Sequence, residues 1–280
     1  DALQEGKDAA ARISIRDQEV AGIDVITDGE QRRMHYISRF ISSLGGIDAK
    51  QSNMADVGES TVDRASPLVI GNITRKHAHA VEDLLFLKAH TDHRVKMTLP
   101  GPMTAMLPLK DKHYGNKADL AFALAGVLRE EILDLQAEGC DIIQLDESVA
   151  ISDPTAFKEW GRAAIDAAFE GIEAVTCIHF CFGYRQASDT PTVRDQSKVE
   201  NLASILPDIS ACRTRQAAFE CACSDLEPEF FSKLPDEKQI VFGVVDNACT
   251  VVENSDAIRT RLNQAANVLG TDRVWAAPDC

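Results

Sequence analysis

His179 and Cys181 lie two positions apart in a short apolar run, Cys177-Ile-His-Phe-Cys181. Because side chains alternate between the two faces of a β-strand, we expect His179 and Cys181 to point one way and Ile178 and Phe180 the other. An imidazole nitrogen and a thiolate sulfur directed into one space make half of a tetrahedral zinc site. The pair alone is a weak signal, because a buried cysteine usually acts as a small hydrophobic residue. A zinc site therefore requires two further ligands from the rest of the chain.

The composition indicates a soluble, acidic enzyme with either one large core or two small ones. The chain has 280 residues, 45% of them hydrophobic, which suffices for a barrel of the usual single-domain size. Its formal net charge of −15 disfavours nucleic acid and anionic membranes as partners. No apolar run has the length of a membrane span, and we expect no signal peptide. The eight cysteines are widely spaced, which is typical of reduced thiols, so a cytoplasmic location is predicted.

Extended and helical segments alternate along most of the chain. Seven strands are predicted, starting near residues 24, 95, 140, 174, 216, 239 and 273, and the helices predicted between them include residues 117–139 and 255–269. Strands that alternate with helices predict a parallel sheet with helices packed outside it. Seven strands after an opening helix predict a (βα)8 TIM barrel whose first strand lies upstream of Asp1. A doubly wound open sheet is the alternative, although no Gly-x-Gly-x-x-Gly follows a first strand.

Three segments give less regular signals within the predicted single domain, residues 1–280. Residues 31–66 have no single period, which indicates a lid-like insertion, a binding segment or disorder. Residues 75–93 predict a helix, and residues 197–206 a shorter one. Histidines at 77, 79, 90 and 93 are interpreted as surface or capping residues, because none is paired with a cysteine or carboxylate at ligand spacing.

Acidic, histidine or cysteine residues stand at the end of nearly every predicted strand. The carboxyl ends of barrel strands open on one face, where active sites are built. We therefore expect these side chains to share a site. The strand ends carry Asp28-Gly29-Glu30, Pro100-Gly101-Pro102, Asp146-Glu147, His179 with Cys181, Glu220, Asp246-Asn247 and Asp279-Cys280.

Cys280 and Glu220 are the further ligands favoured by this arrangement. Glu220 lies in a predicted strand, residues 216–223, as a carboxylate among apolar residues, and such a charge needs a partner or a metal. Cys221 and Cys223 are the rival chelators, but strand parity places them on the face opposite Glu220. A reactive zinc site suits two thiolates, a histidine and one exchangeable position. The favoured zinc ligands are His179, Cys181, Glu220 and Cys280.

A zinc ion held by two thiolates is electron-rich and therefore suits one kind of chemistry. It is a poor Lewis acid for making hydroxide, but it can bind a substrate thiol and keep it as a nucleophilic thiolate near neutral pH. The predicted ligand set therefore indicates alkyl transfer onto sulfur.

Seven motifs spread over the whole chain are specific when taken together. They are Gly22-Ile-Asp-Val-Ile-Thr-Asp-Gly-Glu30, Leu99-Pro-Gly-Pro-Met-Thr104, Ile143-Gln-Leu-Asp-Glu147, Ile178-His-Phe-Cys181, Phe219-Glu220 with Ser224-Asp225, Gly243-Val-Val-Asp246 and Trp275-Ala-Ala-Pro-Asp-Cys280. With these motifs the chain resembles the catalytic C-terminal barrel of cobalamin-independent methionine synthases and their short single-domain relatives. The resemblance implies a TIM barrel that makes methionine from homocysteine, with zinc on the same four residues. It also implies that Glu30 and Asp146 bind the amino group of homocysteine, which two carboxylates suit well.

The chain departs from the family at one residue that affects which methyl donor it can use. The family's proton-donating histidine falls at Ala248. A methyl group on the tertiary amine of methyltetrahydrofolate transfers poorly unless that nitrogen is protonated. A methylated corrinoid, or a corrinoid protein that carries one, needs no such proton and becomes the more plausible donor.

Three other functions remain open at this point. Some relatives use the same zinc to add the thiol of coenzyme M to an epoxide, although that thiol has no ammonium for Glu30 and Asp146 to bind. A non-catalytic barrel subunit is the second alternative, and the complete ligand set argues against it. A metal-free, decarboxylase-like barrel is the third, and the His-x-Cys pair argues against that.

Overall fold

The computed structural model describes residues 2–48, 66–183, 195–224 and 226–280. They group into two units, residues 1–145 with 167–176, and residues 146–166 with 177–280. The single domain over residues 1–280 stays a prediction.

The first unit combines three neighbouring strands with a smaller sheet. Strands β1, β4 and β6 are neighbours in that order, and β1 pairs with β4 in parallel. Strands β2, β3 and β5 form the smaller sheet, in which β2 and β3 are antiparallel. The elements are α1 (Ala2–Val20), β1 (Val25–Ile26), α2 (Tyr36–Ser42), β2 (Leu44–Asp48), β3 (Leu68–Arg75), α3 (Val81–Lys88), β4 (Arg94–Pro100), α4 (Pro102–Ala105), β5 (Lys110–Asp111), α5 (Lys117–Ala137) and β6 (Ile142–Asp146), whose last residue belongs to the second unit.

The second unit contains four parallel strands with helices between them. Strands β7, β8, β9 and β10 are neighbours in chain order. The elements are α6 (Val149–Ser152), α7 (Pro154–Ala156), a π-helical turn (Phe157–Gly161), α8 (Arg162–Ala168), β7 (Val175–Phe180), α9 (Gln196–Ala211), β8 (Gln216–Phe219), a 3-10 turn (Pro228–Phe231), β9 (Gln239–Val245), α10 (Ser255–Leu269) and β10 (Val274–Pro278). Parallel strands alternating with helices confirm the predicted α/β class.

An aromatic cluster holds β7 and β8 in register on the face away from His179. Phe180 lies opposite Phe219 in the parallel pairing, and their rings stack at a centroid distance of 5.6 Å. Phe157 contacts Phe180 edge-on at 5.8 Å, and Phe231 contacts Phe219 at 4.6 Å. Such pairs add to the stabilisation that burial provides. The cluster fixes the strand ends from which the neighbouring side chains project.

Helix α9 is longer than predicted. The predicted helix over residues 197–206 continues to Ala211 and includes Pro207. A proline inside a helix loses one backbone hydrogen bond. Leu206 and Ile209 on either side of it are buried, so tertiary packing outweighs this local cost.

The predicted lid-like insertion, residues 31–66, contains two described elements. Helix α2 begins after His35, whose Nδ1 accepts a hydrogen bond from Ser38 N, and β2 then pairs antiparallel with β3. Residues 49–65 lie outside the described residues. The lid therefore stays a prediction.

The predicted helix over residues 75–93 is wrong outside Val81–Lys88, and the interpretation of His79 as a surface or capping residue is also wrong. Strand β3 extends to Arg75, and α3 comprises only Val81–Lys88. His79 is buried, with Nδ1 at 3.3 Å from Oε2 of Glu131. Its carboxylate partner is 52 residues away in the chain, a distance that local spacing does not reveal. The other three histidines of this region are exposed, as predicted.

Glu131 is the centre of a buried hydrogen-bond network in the first unit. Its Oε1 accepts hydrogen bonds from the backbone N–H groups of His79 and Ala80, at 3.0 and 2.7 Å. Its Oε2 accepts from Arg75 Nε at 2.9 Å. Burial by itself raises the pKa of Glu131, but His79, Ala80 and Arg75 outweigh burial and lower it to about 2. The carboxylate thus connects α5 to the β3–α3 segment.

We expect Glu131→Gln to lower the free energy of unfolding at pH 7 by about 3 kcal/mol, because Arg75 and the buried N–H groups of His79 and Ala80 lose their charged acceptor. Because the pKa of Glu131 is lower in the folded protein than in the unfolded chain, its carboxylate stabilises the fold fully at pH values above the unfolded pKa of roughly 4.3. This stabilisation is lost as the pH falls towards 2. Denaturant unfolding at several pH values should show the difference from the unaltered protein shrinking below about pH 4.3. Glu130→Gln, at an exposed position next in the chain, is the matched control. A pH-independent difference would contradict this role.

Among the described helices, none is both long and apolar enough to cross a membrane.

Candidate metal centre

Four metal-ligating side chains converge at the strand ends of the second unit. His179 and Cys181 come from the end of β7, Glu220 follows β8, and Cys280 follows β10. One potential ligand atom from each lies within 4.8 Å of those of the others. The structure thus brings together all four side chains that the sequence analysis favoured as ligands.

His179 carries the clearest sign that the cluster binds something. Its side chain is buried, and its Nε2 atom has no hydrogen-bond partner among the described residues. A buried polar atom without a partner is costly and needs an explanation. One imidazole, two thiols and one carboxylate form the donor set that zinc prefers. The residues present therefore fit a zinc ion.

Cys181 and Cys280 shift each other's pKa in opposite directions. The hydrogen bond between their side chains lowers the pKa of Cys181 and raises that of Cys280. His179 lowers the pKa of Cys181 further, through a hydrogen bond and its charge. The thiolate is the form of cysteine that ligates metals. Cys181 is accordingly prepared to act as a ligand at neutral pH.

Glu220 is buried, and its position is set by the strand beside it. Its Oε2 accepts a hydrogen bond of 2.6 Å from Phe182 N, just beyond β7. Burial is the main reason that its pKa rises to about 7. A carboxyl group with a pKa of about 7 is partly protonated at neutral pH, and its ionised form is the one that ligates a metal.

The predicted strand over residues 216–223 is wrong beyond Phe219, where β8 ends. Strand parity therefore does not distinguish Glu220 from its rivals, and the distinction rests on position in space. Cys221 donates back to the last residue of β8, with Sγ at 3.5 Å from Phe219 O. Cys223 lies beside the cluster, with Sγ at 3.9 Å from Glu220 Oε2. The four-residue ligand group includes neither cysteine.

Asp146 lies close enough to the cluster to act on it electrostatically. Burial lowers the pKa of His179 and the Cys181 hydrogen bond raises it, and the charge of Asp146 adds to the net rise. Asp146 also raises the pKa of Cys280, after the larger effects of Cys181 and burial. The backbone N–H of Glu147 donates to His179 O at 2.8 Å, which fixes the end of β6 beside β7.

Glu30 belongs to the first unit and has an unusual backbone. Its φ of 56° lies in the left-handed region, which is costly for a residue other than glycine and clusters at functional sites. Asp28 Oδ1 accepts the Glu30 N–H at 2.9 Å. Arg33 Nη1 lies 3.2 Å from Glu30 Oε1 and donates to Thr98 O at 2.9 Å. These contacts hold the turn at the end of β1 in one conformation.

Sequence reasoning missed Arg33 and the role of Asp279. Arg33 contacts Glu30 at a spacing of three residues, which an ion-pair search of the sequence could have suggested. Asp279 was recognised only as a polar residue at a strand end. Its carboxylate accepts backbone N–H groups from a segment 56 and 57 residues earlier in the chain, and no sequence pattern indicates this.

Comparisons with known proteins agree over nearly the full chain. The family described as "Cobalamin-independent synthase, Catalytic domain" matches residues 4–280. A methionine synthase from Saccharolobus solfataricus is 28% identical over 281 aligned residues, covering 99% of this chain and 78% of the relative. A methionine synthase from Sulfurisphaera tokodaii is also 28% identical, with 99% and 76% covered.

A solved structure has the same fold. The B12-independent methionine synthase from Shewanella sp. W3-18-1, in complex with selenomethionine, superimposes with a TM-score of 0.84 at 29% identity, covering 99% of this chain and 81% of that one. This likeness confirms the predicted TIM-barrel fold class.

Proposed function

The chain belongs to the family of the cobalamin-independent synthase catalytic domain, and from this premise we propose that it transfers a methyl group to the thiol of homocysteine with the help of zinc. The observation that carries the proposal is the convergence of His179, Cys181, Glu220 and Cys280, with ligand atoms within 4.8 Å of one another. The curated relatives are methionine synthases. The Shewanella protein binds selenomethionine, in which selenium replaces the sulfur of methionine.

The proposed metal chemistry follows from the donor set. When bound by these four side chains, zinc would supply an acceptor for the substrate thiolate and lower the pKa of the substrate thiol. Cys181 provides a thiolate because the Cys280 hydrogen bond and His179 lower its pKa. Phe182 N holds the Glu220 carboxylate at 2.6 Å and so orients it at the cluster. The buried positions of His179 and Cys181 exclude water from this side of the site.

Glu30 and Asp146 are proposed to bind the ammonium group of homocysteine. Hydrogen bonds between a carboxylate and an ammonium are about twice as strong as those between neutral groups. Support comes from the strained backbone of Glu30, its contact with Arg33 and the electrostatic influence of Asp146 on His179 and Cys280. An acceptor with a thiol and an ammonium group fits this set of residues better than coenzyme M, whose far end is a sulfonate.

A methylated corrinoid, free or carried by a corrinoid protein, is the proposed methyl donor. Position 248 is an alanine, whose backbone N–H donates to Asp246 Oδ1 at 3.0 Å and whose side chain cannot protonate a leaving amine. The methyl group of methyltetrahydrofolate is bound to such an amine. Comparing methionine formation from methylcobalamin and from methyltetrahydrofolate tests this assignment. Faster turnover with the folate would overturn it.

Calorimetric titration of the zinc-loaded protein with homocysteine tests the proposed acceptor. We expect homocysteine to bind with release of about one proton, measured from the dependence of the heat on the buffer, because thiolate ligation displaces the thiol proton. Homoserine, with oxygen in place of sulfur, is the control and should release none. Coenzyme M is the competitor. Binding of coenzyme M without homocysteine would favour addition of a thiol to an epoxide, and binding of neither would favour a non-catalytic barrel.

A further inference from the structure

Asp279 is a buried carboxylate that connects two segments of the candidate metal centre. Its Oδ1 accepts a hydrogen bond from Ala222 N at 2.9 Å, and its Oδ2 accepts one from Cys223 N at 2.6 Å. Its own N–H donates to Val245 O at 3.0 Å. The side chain is 2% exposed. Asp279 immediately precedes Cys280, and the two N–H groups that it accepts follow Glu220 in the chain.

The backbone of β9 is shaped to admit this carboxylate. A Cβ atom on Gly243 would lie 2.1 Å from Asp279 Oδ1, 2.8 Å from Phe219 O and 3.0 Å from Cys221 N. Real Cβ atoms do not approach other atoms so closely. Gly243 is therefore needed because of close packing, since any side chain there would displace Asp279 or the end of β8.

An irregularity in β10 lets neighbouring residues serve different purposes. The register between β9 and β10 shifts between Ala277 and Pro278. Bulges of this kind re-aim the side chains that follow them. Beyond the shift, Asp279 reaches the backbone of residues 222 and 223, while Cys280 joins the ligand group.

The turn after β8 is held from its other side as well. The Ser224 hydroxyl donates to the carbonyl oxygen of Glu220. Phe182 N donates to the Glu220 carboxylate at 2.6 Å. With Asp279 bonded to Ala222 and Cys223 of the same turn, the backbone around Glu220 has little freedom to move relative to β7 and β10.

The cost of burying Asp279 indicates that its position matters. A buried carboxylate loses its hydration and must be compensated by hydrogen bonds. Here the carboxylate is buried within electrostatic range of Glu220, a second carboxyl group. A neutral side chain of similar size would avoid this repulsion, although it would provide at most one acceptor for the two N–H groups.

We infer that Asp279 is a positioning residue, which holds the turn carrying Glu220 against the segment carrying Cys280 and so sets the spacing of the metal ligands. The inference rests on the proposed zinc site of these four side chains. It assigns to Asp279 and Gly243 a role in metal binding, although neither contributes a ligand atom. Residues that orient ligands in this way typically change metal affinity 10- to 100-fold, roughly, when altered.

The test is the zinc affinity of the full chain with Asp279→Asn, measured by competition with a chromogenic chelator. The amide keeps the shape but replaces one acceptor oxygen by a donor, so one backbone N–H loses its partner. We expect zinc to bind about 10- to 100-fold more weakly. The thiolate-to-cobalt absorption of the Co²⁺-substituted protein should also weaken or shift, because it reports how the two cysteines coordinate. A merely structural role would not alter that spectrum.

Asp166→Asn is the matched control in the same unit. Asp166 Oδ1 also accepts a backbone N–H, from Arg213 at 2.9 Å, and the thiol of Cys212 at 3.3 Å, but it belongs to α8 and not to the ligand segments. Its substitution should leave zinc affinity within about twofold of the unaltered protein. Gly243→Ala is a second test, which displaces Asp279 without removing a polar group, and it should weaken zinc binding in the same range as Asp279→Asn.

The outcomes separate this inference from the proposed function. Tight zinc binding by the unaltered protein, with equal affinity and an unchanged cobalt spectrum in Asp279→Asn and Gly243→Ala, would overturn the role of Asp279 alone. Zinc binding by the unaltered protein no tighter than that of Cys181→Ser would overturn the proposed zinc site and this inference with it.

Discussion

Replacing Cys181 by serine should abolish methionine formation and release zinc. Cys181 is the thiol whose pKa is lowered within the cluster, and a serine hydroxyl stays protonated and neutral at neutral pH. The effect should exceed the 10- to 100-fold loss typical of residues that only orient a ligand, reaching about 1,000-fold or more in turnover. Methionine formation, with methylcobalamin and methyltetrahydrofolate as alternative donors, and the zinc content of the dialysed protein provide the measurements.

Cys212→Ser is the control for this prediction. Cys212 is also buried in the second unit, but it donates to Asp166 Oδ1 at 3.3 Å and is not among the clustered ligands. The Cys212→Ser variant should retain its zinc and its turnover. Dialysis of the unaltered protein against a strong chelator should mimic Cys181→Ser, and added zinc should restore turnover. Full activity of a stringently metal-free sample would refute the zinc mechanism.

The Glu30→Gln variant should raise KM for homocysteine about 10- to 100-fold while changing kcat much less, because it removes a charged hydrogen-bond partner of the substrate ammonium. The amide keeps the size of the side chain, and the left-handed backbone at position 30 is held by the Asp28–Glu30 hydrogen bond of 2.9 Å, which does not involve the altered group. Steady-state kinetics over a range of homocysteine concentrations, with thermal unfolding in parallel, separates binding from stability.

Glu82→Gln is the matched control for Glu30→Gln. Glu82 also pairs with an arginine of the first unit, Arg32 at 2.7 Å, and its side chain is 77% exposed. Its loss should leave KM unchanged. Asp146→Asn should resemble Glu30→Gln. An unaltered KM in both variants would remove the proposed ammonium site and favour a thiol acceptor that lacks an amino group.

Local patterns in the sequence were enough to predict the elements with strong periodicity and clear ends. Helix α10, Ser255–Leu269, has the predicted bounds, because Asn254 caps its start and Gly270 follows its end. Helix α5 begins at Lys117 as predicted, with Asn116 accepting the Asp119 N–H at 2.8 Å. The predictions failed where tertiary packing overrides local preference, as at Pro207 inside α9.

The sequence by itself determined the types of chemical group available and the strand that carries two of them. Alternation along β7 sufficed to place His179 and Cys181 on one face, with Phe180 in the aromatic cluster on the other. Motif resemblance added the family and the barrel. These inferences succeed because they depend on residue identity and on spacings of a few positions.

Only the tertiary structure decided how the strand ends meet. Three features depend on residues at least 23 positions apart or on a register shift. They are the burial of His79 against Glu131, the end of β8 at Phe219 and the two hydrogen bonds of Asp279. Such contacts follow from the packing of strands and helices against each other, in which hydrogen bonds form wherever a buried group finds a partner. The physical reason is that the cost of burying a polar group is set by its neighbours in space, and its neighbours in the chain do not reveal them.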